Sequence, residues 1–105
     1  MENILKIAMA QISPVWLNKR ETIKKVEQSI KDAAKEQCEL IVFGEGLIPG
    51  YPFWLALTGG AEWDKKINKE LHRHYVANSI TIENGDLDSI SQLAKEHQIA
   101  IYLGI

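Results

Sequence analysis

Leu40-Ile41-Val42-Phe43-Gly44-Glu45-Gly46-Leu47-Ile48-Pro49-Gly50-Tyr51-Pro52 decides how the chain is read, because four apolar residues run directly into a carboxylate set in a Gly/Pro turn. An unbroken apolar run of this length predicts a parallel strand covered on both faces. Open α/β sheets place their ligands beyond the carboxyl ends of such strands. Glu45 stands at that end. A carboxylate is seldom buried without a partner, so a Glu in this position is solvated, paired or chemically employed.

Working back from this strand, Ile4 to Ala10 predicts a first strand, with Leu5, Ile7 and Met9 on one face and mostly small residues on the other. Small residues there let a helix pack close. Gln11-Ile12-Ser13-Pro14 breaks the strand, and Asn18 with Glu21 three residues on resembles a helix-capping pair. A helix to about Glu36 follows. Its apolar stripe is Ile23, Val26, Ile30, Ala33 and Ala34, and Glu21/Lys25 and Glu27/Lys31 are predicted as supporting pairs. Strand, helix and parallel strand together make a crossover, a unit that is right-handed almost without exception.

Working forward, Pro49 to Gly60 is too irregular for a long helix and too aromatic for a plain solvated loop, which suggests a pocket wall. Trp63, Ile67, Leu71 and Tyr75 fall four apart and predict a second helix to about Ala77. Asn84-Gly85 signals a turn. Leu87, Ile90, Leu93 and Ala94 stripe a third helix that leads into a last apolar strand, Ile99 to Leu103. Strands alternating with helices predict an α/β fold.

The chain has 105 residues, enough for one globular unit and one core, and a formal net charge of −2. Lys and Glu are mixed along the helices with no basic stripe, so nucleic acid is not an expected partner. No signal-peptide pattern and no run of membrane-spanning length is present, so no membrane partner is expected and the location is read as cytoplasmic. The single Cys38 excludes an internal disulfide framework and a multi-cysteine metal site. No metal and no cofactor are expected.

The other candidates for chemistry yield less. Cys38 could serve as a nucleophile only beside a base. Seven residues of largely extended chain, at about 3.3 Å each, place it roughly 20 Å from Glu45, so it reads as a buried, inert thiol. His72 and His74 are two apart on a helix and point in different directions, which argues against a metal pair. His97 suits a helix C-terminus on its own account. The glycines match no phosphate or dinucleotide loop, and no nucleophile-elbow serine is present.

Taken together, Lys6-Ile7-Ala8-Met9-Ala10-Gln11, Asn18, the Phe43-Gly44-Glu45 strand end, Pro49-Gly50-Tyr51-Pro52 and Ile101-Tyr102-Leu103-Gly104-Ile105 resemble the amino-terminal part of the nitrilase superfamily of carbon–nitrogen hydrolases. The family's usual residue before the Glu is Pro, where this chain has Gly44. The continuation Tyr51-Pro52-Phe53-Trp54 is more similar to the nitrilase branch than to the small-amide branches. The resemblance implies an α/β fold that is the amino-terminal portion of a four-layer α-β-β-α sandwich, with residues 1-105 an incomplete part of one hydrolase domain. It implies a parent that is an enzyme and a homo-oligomer. Its reaction would convert a small-molecule nitrile to a carboxylic acid and ammonia through a covalent cysteine thioimidate and thioester, with an amide substrate as the near alternative.

In that mechanism a Glu takes the thiol proton, a Cys attacks and a Lys stabilises the tetrahedral intermediate. Glu45 matches the Glu as general base. The nucleophile and the Lys of the family lie after the third strand, so Cys38 does not match, and Lys65, Lys66 and Lys69 read as solvated helix faces. The fragment alone is expected to be inactive. Tyr51 and Trp54 are the candidate substrate-binding residues, with core packing as the alternative for both. A non-catalytic α/β binding module is the rival reading from another class.

Overall fold

Ile7–Ala10 (β1), Leu40–Phe43 (β2) and Ala100–Tyr102 (β3) form one parallel sheet in the order β1-β2-β3 in the computed structural model, which describes residues 3–105. The predicted outer strands are each trimmed, to four residues for β1 and three for β3. The helices are α1 (Lys19–Lys35), α2 (Lys66–Ala77) and α3 (Asp88–His97), with 3-10 turns at Phe53–Ala56 and Ile82–Asn84. No helix of the described residues is long and apolar enough to cross a membrane.

The strand register sorts the side chains into two faces. Ala8, Ile41 and Ile101 align across the sheet on one face, beside Ala10 and Phe43. This face meets α1 and α3, and with Val26, Ile30, Ala33, Ile90 and Ile99 it forms the buried core. The small residues of β1 therefore do face the helices, as their size predicts. Ile7, Leu40 and Ala100 make one row on the other face, and Met9, Val42 and Tyr102 the next. Nothing among the described residues packs over Met9, 84% exposed, or Tyr102, 70% exposed. The expectation that β2 is covered on both faces is thus corrected: both faces are apolar, but these residues supply one cover.

Helix α1 forms where the sequence predicts it. Asn18 Oδ1 accepts the Glu21 N–H at 3.2 Å, satisfying one of the orphan donors of the first turn. The reciprocal half of the capping pair does not form, because Glu21 turns to Lys24 Nζ, 3.1 Å away. The predicted pair Glu21/Lys25 is corrected accordingly, since Lys25 Nζ donates to the Ser13 carbonyl. Glu27 accepts from Ser89 Oγ at 2.8 Å, across to α3, instead of pairing with Lys31. Exposed side chains with several partners in reach choose by rotamer entropy as much as by charge.

Thr22 is fully buried on the apolar side of α1. Its hydroxyl accepts the Val15 N–H at 3.0 Å and lies 3.0 Å from the Val15 carbonyl and 3.1 Å from that of Asn18. One side chain thereby satisfies the backbone entering the helix. A second polar clasp joins the start of α1 to the end of α2. Lys19 Nζ donates to Asp86 Oδ2 at 2.7 Å and to the Ser79 carbonyl at 3.3 Å, while its backbone N–H donates to Asn78 Oδ1 at 3.2 Å. Hydrogen bonds from Lys19 and from the Thr81 N–H hold the Asp86 carboxyl below the usual carboxylate range.

Both helices that feed strands end alike. Gln37 and Gln98 adopt positive φ, 61° and 51°, and the next residue donates back into the helix, Cys38 to the Ala33 carbonyl at 3.0 Å and Ile99 to that of Ala94 at 3.1 Å. This is the left-handed termination that glycine usually provides. We expect Gln37→Gly and Gln98→Gly each to stabilise the chain by about 0.5 kcal/mol, because relief of left-handed strain outweighs the added backbone entropy. Urea denaturation midpoints measure this, and a fall in either midpoint refutes it.

Helix α2 is less embedded, with no buried residue. Trp63 lies outside it and is 96% exposed, correcting the predicted stripe. Asp64 at φ 61° and extended Lys65 interrupt the helical path just before Lys66. The Cα radius of gyration is 16.4 Å, against about 13 Å for a closed domain of this length. The predicted single globular unit is therefore an open one, with its core on one side of the sheet.

Candidate active site

Because the three strands are parallel, their carboxyl ends share one edge of the sheet, and the chain leaves β2 there into the turn that carries Glu45. Leu47 and Ile48 are buried, 5% and 1% exposed, and act as apolar anchors beneath the turn. The Leu47 N–H donates to the Gly104 carbonyl at 3.1 Å, tying the turn to the end of β3. On the other side the Leu17 N–H donates to the Pro49 carbonyl at 3.3 Å, and Trp16 Nε1–H donates to the Tyr51 carbonyl at 3.1 Å. Gly50 has φ 113° and lies under the Trp16 ring, where a Cβ would come within 2.7 Å of Cδ1. Only glycine meets both demands.

Gly44 and Glu45 are exposed while residues 47–50 are buried, so the carboxylate projects from a firmly seated turn. Among the described residues no hydrogen bond or ion pair reaches the Glu45 carboxylate. Of the three states open to a strand-end Glu, pairing among the described residues is thus excluded. A free carboxylate at this edge is able to accept a proton from a group brought to it.

Cys38 lies before β2 and Glu45 after it, so the strand separates them. Cys38 is half-buried and packs against the core from the opposite edge. Lys65 pairs with Glu62 at 3.3 Å and Lys69 with Asp64, contacts local to the start of α2. Lys66 is exposed on the same helix. His72 and His74 are both exposed on α2, and among the described residues no three of His, Cys, Asp and Glu gather as a metal site.

The two candidate substrate-binding residues part company. Tyr51 is 69% exposed just past the Glu45 turn, whereas Trp54 is 7% exposed. The Trp54 ring lies edge-on between Phe53, centroids 5.6 Å apart, and Tyr75, 5.9 Å, and Phe53 in turn meets Trp16 at 5.6 Å. This row of edge-to-face contacts links the turn region to α2. A surface groove of about 540 Å³ is lined by Lys19, Arg20, Lys24, Glu27 and Asp86 among others, and not by Glu45.

Sequence reasoning missed two residues that build this turn. Trp16 seals Gly50 and Tyr51, and no periodic pattern flags a lone Trp in a connecting loop. Gly104 meets the Gly44–Glu45 backbone; a glycine at the close of an apolar strand is the signal that another backbone approaches.

Residues 6–105 match the family model described as carbon–nitrogen hydrolase. The chain is 33% identical over 100 residues to an arylacetonitrilase of Aspergillus oryzae, covering 95% of this chain and 28% of that protein. It is 35% identical over 100 residues to an arylacetonitrilase of Aspergillus niger, with the same coverage of 95% and 28%. It is 36% identical over 100 residues to a nitrilase of Meyerozyma guilliermondii, covering 95% and 29%. The chain thus spans less than a third of the length of these curated relatives.

Proposed function

The chain belongs to the carbon–nitrogen hydrolase family, and from that premise we propose that it is the Glu-bearing amino-terminal part of a nitrilase whose complete domain converts an arylacetonitrile to the acid and ammonia. The observation that carries this reading is the Glu45 carboxylate, seated by buried Leu47 and Ile48 at the carboxyl edge of the central strand. The substrate class rests on the names of the relatives, arylacetonitrilases and a nitrilase.

In this reading Glu45 removes the proton from a cysteine thiol supplied by the rest of the domain. The thiolate attacks the nitrile carbon, forming a carbon–sulfur bond as the nitrile nitrogen takes up a proton to give a thioimidate. One water adds to that carbon; ammonia leaves with a proton returned through Glu45, and a thioester remains. A second water cleaves the thioester to the carboxylic acid and regenerates the thiol. Tyr51 would stand at the mouth of the pocket beside the aryl group, with Trp54 supporting the wall from behind.

The same reading accounts for the bare sheet face. The row of Met9, Val42 and Tyr102 is the surface on which a second sheet would pack to complete an α-β-β-α sandwich, and that second sheet would bring the Lys and Cys toward Glu45. Residues 1–105 then form an incomplete part of one domain, and the complete protein associates with copies of itself through its helices.

The test is ammonia release by the complete protein from phenylacetonitrile and from phenylacetamide. Turnover of the nitrile, with trapping of a cysteine adduct by mass spectrometry, is the expected result. Turnover of the amide alone moves the protein to the amidase branch. Ammonia from neither substrate, in a protein that melts cooperatively, favours the non-catalytic module.

A further inference from the structure

Gly104 lies two residues past the end of β3, where the Glu45 turn crosses the sheet edge. Its carbonyl accepts the Leu47 N–H at 3.1 Å, holding the downstream side of the turn. Its Cα faces the upstream side so closely that a Cβ would overlap the Gly44 carbonyl oxygen and stand 2.8 Å from the Glu45 Cα. Every one of these obstructing atoms is backbone, so none can swing away as a flexible side chain would. Space around Gly44 itself is open, with nothing within 4 Å of its would-be Cβ. Of these two glycines, the tightness belongs to position 104.

We propose that Gly104 is a positioning residue for Glu45: its missing side chain lets the end of β3 dock on the Gly44–Glu45 backbone and fix the point from which the carboxylate extends. Among the described residues no side chain holds the Glu45 carboxylate, so the backbone that carries it is what fixes the point from which it reaches. Two contacts from one residue restrain that backbone, the hydrogen bond to Leu47 after the Glu and the close approach before it. A methyl group at Gly104 would have to push the turn outward or tilt β3, and either movement shifts the carboxylate relative to a reacting thiol. Proton transfer is intolerant of such a shift, since it requires hydrogen-bond reach.

The role rests on the hydrolase reading of Glu45, and a double-mutant cycle in the complete hydrolase separates the two. Gly104→Ala is expected to lower kcat about a hundredfold, with KM within about threefold of wild type and cooperative melting retained. In the Glu45→Gln background the same substitution is expected to change the residual rate by less than about twofold, because a residue that acts through Glu45 has nothing left to position. An unchanged kcat for Gly104→Ala overturns the proposal, as does a second full loss in the double variant. Failure of Gly104→Ala to melt cooperatively assigns the residue to folding and overturns it too. These three results leave the role of Glu45 standing. Glu45→Gln that by itself leaves turnover intact refutes the hydrolase reading, and the positioning role falls with it.

Discussion

Glu45→Gln in the complete protein is expected to reduce nitrile turnover by a factor of about 10² to 10⁴, the range that a positioned general base contributes. The amide is nearly isosteric with the carboxylate but cannot take the thiol proton. It also cannot return one to departing ammonia, so both halves of the cycle slow. The fold should not notice. The replacement is nearly isosteric and no described residue pairs with Glu45, so cooperative melting is expected to be retained. Ammonia release and thermal melting on the same preparations separate the two effects. A variant that melts as wild type and keeps its rate within a few-fold removes Glu45 from the chemistry.

The second large effect is expected on the other side of the sheet. Met9 is 84% exposed on the open face, in the row with Val42 and Tyr102. If a second sheet covers that row in the complete protein, Met9→Asp sets a carboxylate in an apolar interlayer with no partner, at a cost of several kcal/mol. A loss of that size takes most of the stability of a typical domain. If the row faces water in the complete protein as well, the same substitution costs about 0.5 kcal/mol or less. The urea midpoint of the complete protein decides, and a small change defeats the sandwich reading while leaving the family intact.

Several elements were legible in the residues because a single physical rule governed each. Helix α1 follows from a long apolar stripe and an Asn cap, and of its four buried residues Val26, Ile30 and Ala33 belong to the predicted stripe, with Thr22 the one the pattern does not flag. The two faces of β1 follow from alternation of Ala with Ile and Met, since size alone decides which face a helix can approach. Where two rules compete, the reading failed. Trp63 continues the spacing of Ile67, Leu71 and Tyr75, yet Asp64 in the left-handed region halts the helix before that periodicity can act. The charge pairs predicted along α1 give way because Lys25 and Glu27 find partners outside their own helix, in Ser13 and Ser89.

The candidate site divides in the same way. Glu45 was legible because a carboxylate at the end of an apolar strand has no place in a core. That it stands free of any partner among the described residues, with its turn held by Leu47, Trp16 and Gly104, was not. These contacts join residues far apart in the chain, and no local pattern encodes them.

The sequence by itself determined the alternation of strand and helix, the parallel return, the apolar character of both sheet faces and the position of Glu45 beyond β2, because periodicity, chain breakers and residue size act within a few neighbouring positions. Only the tertiary structure decided that these residues leave the other sheet face bare, that Trp54 turns inward while Tyr51 stays outside, and that the end of β3 closes on the Glu45 turn. Those outcomes depend on which distant backbone arrives at a given spot and how much room it leaves. At Gly104 that room is too small for a methyl group.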